Sequence, residues 1–489
     1  MTDSISPPPL LKSSDVPAWS DEADVIVVGL GISGVSAAIE AREAGADVLA
    51  VERAGAGGGS SALSGGQIYL GGGTPVQQAC GFQDSPEEML KYLMLVTPAP
   101  DLEKLRLYCY ESVSHFHWLE AHGVPFERSY FKGKDALHMS TECLAWTGNE
   151  QIWPFREQAQ PAPRGHKVAA EGDGGGFKGM QMLLQSAQQL GVRMATNTAV
   201  TALVQDTQGR IVGVRVRLFD QVSYFKARSG VILAAGGFIM NDAMLAHYIP
   251  ALPRDFHKHG NPYDDGLGIR LGLSAGAATS CMDNFFVNSC FYPPGDLLKG
   301  ILVNSHGKRF VSEDSYHGRT AIFSLEQPGG EVYLILDSEI FAYPEYKHMN
   351  HTLVDGWDSV AEMEAGLRLP EGSLQGTLQA YNASAAAGQD PEFHKLPKWL
   401  KPLTTPPYAA FDLSVGRATY IGFTLGGLQT SSDGEVLTED HKKLAGLYAA
   451  GACASNILQD GRGYSTGMSL GEGSFFGRRA GGRAAASRL

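Results

Sequence analysis

The stretch "ADVIVVGLGISGVSAAIEAREAGADVLAVER", Ala23 to Arg53, decides the fold. Val25 to Val28 is a short, β-branched run of the kind that fills a buried parallel strand. Gly29, Gly31 and Gly34 follow it as G-x-G-x-x-G. Val35 to Ala44 reads as a helix that Gly45 ends, and Val48 to Val51 reads as a second strand closed by Glu52. The first glycine suits a tight turn, the second lets a pyrophosphate approach the backbone, and the third lets the helix pack on the strand. The helix N-terminus then faces the phosphates. Glu52, 21 residues after the middle glycine, is spaced to accept hydrogen bonds from the ribose of a dinucleotide.

Downstream of Glu52 comes "AGAGGGSSALSGGQIYLGGG", Ala54 to Gly73, where an NAD domain would move on to its next strand. The backbone and hydroxyl donors of such a loop suit a longer cofactor. Val200 to Arg217 reads as a hairpin turning at Thr207 to Gly209. "SGVILAAGGF" (Ser229 to Phe238) and "AGLYAAGACAS" (Ala445 to Ser455) each read as a strand ending in small residues. Returning strands of this kind bring distant segments to one cofactor, so FAD is expected rather than NAD.

The expected fold class is α/β: a Rossmann-like FAD-binding domain built from both chain ends, with an inserted α+β substrate (capping) domain. The expected boundaries are a flexible arm at 1–21, the first part of the FAD-binding domain at 22–283, the capping domain at 284–412 and the second part at 413–489. The insert is richer in aromatic residues and prolines. It contains one clear apolar strand, Val332 to Leu336, and a candidate helix near Leu374 to Ala386.

The chain has 489 residues, enough for more than one domain. Its formal charge of -13 argues against nucleic acid as a partner. No window is long and apolar enough for a transmembrane segment, and the polar, Pro-rich start does not read as a signal peptide. A cytoplasmic location is therefore expected. The six cysteines form no C-x-x-C pair, so neither a metal site nor a disulfide framework is expected. "HKHG", His257 to Gly260, has no partner acids at helical spacing and reads as a solvated loop. Glycine is in excess, 60 residues of 489 against a usual share of about 7%, which suggests many close approaches of backbone to ligand.

Near the C-terminus, "GRGYSTGMSLGEGSFFGRRAGG" (Gly461 to Gly482) sets Tyr464, Ser465 and Thr466 just ahead of a helix. Gly473, Gly477 and Gly481 repeat every four residues and leave one helix face without side chains, suited to close approach of a strand or cofactor. The helix start near Met468 to Leu470 can aim backbone N–H groups at the pyrimidine end of a flavin.

Together these segments resemble the fumarate reductase/3-ketosteroid dehydrogenase group of FAD flavoproteins, and within it the 3-ketosteroid Δ4-(5α)-dehydrogenases. The likeness is carried by "GLGISG", "GGSSALSGGQIYLGGGTPVQQACGF", "PAPRGH", "GKRFVSEDSYHGR", "GFTLGGLQT" and "GYSTGMSLGEGSFFGRRAG", in that order. It covers nearly the whole chain after the arm. Two departures set fumarate reductases apart. Phe423 stands where their substrate-binding histidine is found, and "EDSYHGR" carries Tyr316 and His317 in the neighbourhood of their acid arginine, with Arg319 close by. The Tyr-Pro-Gly pattern of the Δ1-dehydrogenases is absent.

The resemblance implies α,β-desaturation of a cyclic ketone, most simply the 4,5 bond of a 3-ketosteroid, with an electron acceptor left unknown. Carried onto this sequence, Tyr464 would donate to the substrate ketone, Thr466 would take the alpha proton and Tyr316 would assist it. Ser465 is the alternative hydroxyl, and His317 is expected to be structural. The residues expected to hold FAD are Gly29, Gly31, Ile32, Ser33, Gly34, Glu52, Arg53, Ser60, Ser61, Ser64, Gly65, Gly66, Val200, Ala235, Gly236, Asp265, Gly451, Ser469 and Leu470.

Three other functions fit parts of the pattern. The first is a dehydrogenase of a smaller ketone such as 4-oxocyclohexanecarboxylate, the second an ene reductase like fumarate reductase, the third a flavin carrier without catalysis. Arg462, in a loop about two residues longer than usual in the family, is expected either to face solvent or to read an acidic substrate group.

Overall fold

The β-branched run after Ala23 lies at the centre of a nine-stranded sheet. The structure is a computed structural model that describes residues 4–253, 256–455 and 457–487. Strand β1 is Asp21–Val28, helix α1 is Ile32–Glu43 and strand β2 is Val48–Val51. Strands β1 and β2 pair in parallel, with Val25 opposite Val48. Short strand β3, Arg193–Ala195, extends this edge. On the other side lie β4 (Thr198–Gln205), β5 (Ile211–Leu218) and β6 (Gln221–Leu233). The hairpin β4–β5 turns where the Thr207 to Gly209 signal stands.

The glycines of the first turn act as their spacing requires. Gly29 has φ +98°, a region that disfavours a Cβ, and a Cβ there would sit 2.5 Å from the Ala234 carbonyl oxygen. A Cβ on Gly34 would sit 1.9 Å from the Gly29 oxygen, so the third glycine sets how closely α1 packs on the turn.

Two further strands and a helix define the site. Strand β7 is Phe285–Asn288 and helix α2 is His317–Leu325. Strands β8 (Ile301–Asn304), β9 (Val332–Asp337), β10 (Thr352–Trp357) and β11 (Tyr408–Asp412) form a separate antiparallel sheet in the order β8-β9-β11-β10. Helix Ser373–Ala386 belongs to the same hydrophobic cluster, where Arg309 pairs with Glu313 and Asp390 at 2.8 and 2.9 Å. Strand β12, Ile421–Thr424, pairs antiparallel with β7, and strand β13 is Lys443–Ala449.

Strand β13 returns to the large sheet. It pairs in parallel with the last residues of β6, Val231 opposite Leu447, beyond the stretch that β6 shares with β5. Helix α3, Met468–Ala486, packs on α1. A Cβ on Gly477 would meet the Ser33 carbonyl oxygen at 2.3 Å, and one on Gly481 the Ala37 oxygen at 2.2 Å. On the side-chain-free face expected to receive a strand or cofactor, Gly477 and Gly481 therefore receive the backbone of α1, while Gly473 lines the large cavity described below.

Two local expectations are corrected. Residues 1–3 of the arm expected to be flexible lie outside the described residues, and the described part is docked: Leu11–Lys12 pairs in parallel with Val204 and Gln205 at the sheet edge, and Ser4 accepts a hydrogen bond from Asn241. The "HKHG" stretch expected to be a solvated loop pairs as well, His257 with Ile421, because β12 offers it an unpaired edge. Among the described residues no helix is long and apolar enough to cross a membrane.

Candidate functional site

A cavity of about 810 Å³ runs from the glycine turn to Tyr316, Tyr464 and Thr466. One end is polar backbone and hydroxyls. Gly31 lies open there, since a Cβ would meet only the Ser61 hydroxyl, at 3.6 Å. Ile32 N, at the start of α1, donates to Ser61 Oγ at 3.1 Å. Glu52 is buried and accepts from the backbone N–H groups of Leu30 and Ala54, each at 2.8 Å. That grip holds its carboxylate at the turn. Arg53 pairs with Asp265 at 2.7 Å and stacks on Tyr263.

The other end is a chamber of rings. Period-two alternation puts Phe286 and Asn288 on one face of β7. Phe286 is the register partner of Phe423 on β12, and their rings lie 5.0 Å apart. Tyr464 packs against both, 4.7 Å from Phe286 and 5.6 Å from Phe423, centroid to centroid.

Three hydroxyl residues meet in this chamber. Tyr316 OH and Thr466 Oγ1 are 2.7 Å apart. Tyr464 OH lies 2.9 Å from Ser469 Oγ and accepts from Ser469 N at 3.2 Å. Ser469 is in the first turn of α3, so the phenol oxygen caps one of the helix's free N–H groups. Burial pushes the Tyr464 phenol up to about 12, and burial, with Tyr464 nearby, pushes Tyr316 well above the usual phenol value. Both phenols therefore stay protonated at neutral pH, as donors. His317 is buried beside Tyr316, with ring centroids 4.0 Å apart; burial, helped by Lys134, pulls its imidazole down to about 3.

Thr466 lines the cavity, whereas Ser465 is buried away from it with its hydroxyl 3.4 Å from Tyr92 OH. His317, expected to be structural, lines the cavity. Ser469, expected to face the cofactor, also orients the Tyr464 phenol. Of the residues expected to hold FAD, Gly34, Gly66 and Asp265 lie outside the cavity lining. Gly34 and Gly66 are packing glycines, the latter because a Cβ would sit 2.3 Å from the Gly175 carbonyl carbon. Asp265 is turned to Arg53 and to Leu267 N. Its neighbour Asp264 lines the cavity instead, bonded to Ser60, and burial raises its carboxyl to about 6. Arg462 lies outside the lining, half-exposed and paired with Glu326. Arg319 is also outside it, stacked on Phe155 and Phe323.

Phe286, Asn288, Gln67 and Asp264 carry no sequence signal of their own. Only the alternation around Phe286, read with a known partner strand, would have pointed to the chamber. Among the described residues, Arg53 is the single lysine or arginine on the cavity wall.

The cavity fits a dinucleotide flavin. It is long, it starts at a helix N-terminus bordered by Ser60, Ser61 and Ser64, and it contains Gln67, whose buried Oε1 has no partner. The sequence matches the FAD binding domain family over residues 24–470. It is 29% identical to the 3-oxo-5-alpha-steroid 4-dehydrogenase of Comamonas testosteroni, covering 90% of this chain and 94% of that one. A cytochrome fumarate reductase of Shewanella frigidimarina is 26% identical, covering 95% of this chain and 77% of the other. Among solved structures, the 3-ketosteroid-delta4-(5alpha)-dehydrogenase of Rhodococcus jostii RHA1, in complex with 4-androstene-3,17-dione, superposes with a TM-score of 0.93 at 41% identity, covering 98% of this chain and 99% of that one. The chain belongs to the FAD binding domain family of flavoproteins, and FAD is its cofactor.

Proposed function

We propose that the chain is an FAD-dependent dehydrogenase of cyclic ketones that introduces the 4,5 double bond of a 3-ketosteroid. The Tyr316–Thr466 hydroxyl pair, 2.7 Å apart in the same ring-walled chamber as Tyr464, carries this reading. The likeness to two ketosteroid 4-dehydrogenases supports it. We further propose that residues 22–283 and 413–489 form the flavin domain and 284–412 a cap over it.

Tyr464 donates its O–H to the ketone oxygen, where negative charge develops as the alpha C–H is broken. The Ser469 N–H on the phenol oxygen polarises that O–H and strengthens the donor. Thr466 Oγ1 takes the alpha proton. An isolated hydroxyl is a poor base, so its own proton must move on: the Tyr316 oxygen in reach takes it as the Tyr316 O–H releases its proton towards solvent. Phe286 and Phe423 exclude water from the acidified carbon. The glycine turn, Glu52, the three serines and the N-terminus of α3 would hold FAD, which supplies the acceptor for the hydride leaving the beta carbon.

A dicarboxylate or keto acid needs a cationic clamp, and among the described residues no lysine or arginine lines the chamber. Fumarate reduction and 4-oxocyclohexanecarboxylate oxidation are thereby disfavoured. The test is anaerobic bleaching of the flavin's visible absorbance by a saturated 3-keto-5α-steroid and, separately, by 4-oxocyclohexanecarboxylate. Bleaching by the steroid alone is expected. Bleaching by the keto acid alone moves the assignment to small alicyclic ketones, and bleaching by neither leaves a flavin protein of another function.

A further inference from the structure

Two polar side chains in the ring-walled chamber have no partner. His317, the first residue of α2, is 4% exposed and lines the cavity. Its imidazole makes no side-chain hydrogen bond among the described residues, and its ring nitrogens are open to the cavity rather than sealed. Asn288, the last residue of β7, lines the same cavity, and its buried Oδ1 is unpaired. Helix α2 packs on β7, so the two groups arrive from adjoining elements. Phe286 stands between them and the ketone-binding phenol, 6.3 Å from His317 and 4.7 Å from Tyr464 by ring centroids.

Buried polar groups in native proteins are nearly always hydrogen-bonded, and each exception calls for a cause. Here the surrounding wall of Phe286, Tyr316, Ile421 and Phe423 cannot serve His317 and Asn288, because Tyr316 OH is already engaged with Thr466. A ligand that fills the chamber can meet the imidazole directly, and it can meet the Asn288 carboxamide once that side chain turns its sealed Oδ1 or its N–H groups to the cavity. Its chemistry follows from the groups present. A neutral imidazole offers one donor and one acceptor, and a carboxamide offers both kinds as well. No lysine or arginine lines this end of the cavity among the described residues, and the nearby Lys134 is turned to the Asp314 carbonyl, so an anion would meet no direct cationic partner.

We propose that Asn288 and His317 determine specificity by binding a second, neutral oxygen of the substrate, a hydroxyl or a ketone, distinct from the ketone held by Tyr464. This rests on the ketone-dehydrogenase reading above. A ring ketone with an apolar far side leaves both groups unmet and binds more weakly for that reason.

The test uses oxidised holoenzyme and steroids that already carry the 4,5 double bond, so that binding is read without turnover. Androst-4-en-3-one, with one oxygen, is compared with 4-androstene-3,17-dione and with 4-en-3-ones hydroxylated at other ring positions. Affinity is read from the perturbation of the flavin's visible spectrum. At least one doubly oxygenated ligand is expected to bind about tenfold more tightly than the singly oxygenated one. Asn288→Leu and His317→Phe are expected to cut that preference to about twofold while leaving the singly oxygenated ligand's affinity unchanged. His317→Gln, which keeps a donor and an acceptor, is expected to restore part of it. Retained visible flavin absorbance in each variant shows that it has folded. The inference is overturned if the wild type shows no preference for any second oxygen, or if the variants weaken all ligands equally. If androst-4-en-3-one does not bind and its saturated counterpart fails to bleach the flavin, the ketosteroid reading falls with it. Bleaching without a preference overturns this inference alone.

Discussion

Tyr316 and Thr466 are 150 positions apart in the chain, and their hydroxyl oxygens lie 2.7 Å apart. Tyr316 is the N-cap of α2 and Thr466 lies just ahead of α3, so the starts of two helices from distant segments set one contact. Removing either hydroxyl leaves the other without its partner. Tyr316→Phe and Thr466→Val are each expected to slow anaerobic flavin bleaching by a ketone substrate about 10²–10⁴-fold with FAD retained. Thr466→Ser, which keeps the hydroxyl, is expected to stay close to wild type. Equal losses in the Val and Ser variants would remove the proton-acceptor role.

Tyr464→Phe takes away the donor to the developing oxyanion, and a loss of about 10²–10³-fold in the bleaching rate is expected. Because burial holds this phenol up at about 12, it remains a donor well past the ordinary phenol value. The wild-type rate is therefore expected to show no fall between about pH 9 and 10.5 from loss of this proton. A limb centred near pH 10 would contradict the assignment.

Glu472, buried in α3 and accepting from Ile457 N at 2.6 Å, has its carboxyl raised to about 8 by burial. Its folded value lies above its unfolded one, so the folded chain holds a proton that the unfolded chain has lost. This contribution is complete below the ordinary glutamate range and disappears as pH rises towards 8. Urea unfolding is expected to show the wild type losing stability between pH 5 and 8.5, and Glu472→Gln flattening that slope. A slope unchanged in the variant would assign the loss to other groups.

The helix contact between α1 and α3 discriminates between neighbouring glycines. Gly477→Ala places a methyl 2.3 Å from the Ser33 oxygen and is expected to destabilise the fold by about 1–3 kcal/mol. Gly482→Ala in the same helix meets only the Glu40 side chain, at 3.7 Å, and is expected to gain up to about 1 kcal/mol from helix propensity. Thermal unfolding of the two variants checks both signs.

Arg462 is half-exposed and paired with Glu326 on the surface, away from the cavity. Arg462→Ala is expected to leave the affinity for neutral and acid-bearing ketones unchanged and to shift stability by less than about 1 kcal/mol. A selective loss for acid-bearing ketones would place this side chain at the substrate.

The stretch from Ala23 to Arg53 was legible because strand, turn and helix there follow local rules. Its apolar run, glycine spacing and small-residue helix each admit one reading, and the helix runs Ile32–Glu43 where Val35 to Ala44 was expected. The hairpin at Thr207 to Gly209 and the helix start at Met468 were legible for the same reason. The pairing of Phe286 with Phe423 was not, since a cross-strand register between distant segments leaves no local mark. Asp264 was missed in favour of Asp265 because a turn decides which of two adjacent acids faces inward. The glycine face of α3 announced a close approach, but nothing in its spacing says that the neighbour is α1. Ser469 was legible as a helix-start residue, while its grip on Tyr464 depends on how the chain folds back before that helix.

Helix α3 fits against α1, the helix that follows β1, so two segments far apart in the chain share one contact. The Ser33 and Ala37 carbonyls therefore meet Gly477 and Gly481 only when these two segments have come together. Tyr464, Thr466 and the N–H groups of α3 reach the cavity only when that contact has formed. A chain in which α3 has not docked would present an open groove rather than a cofactor site.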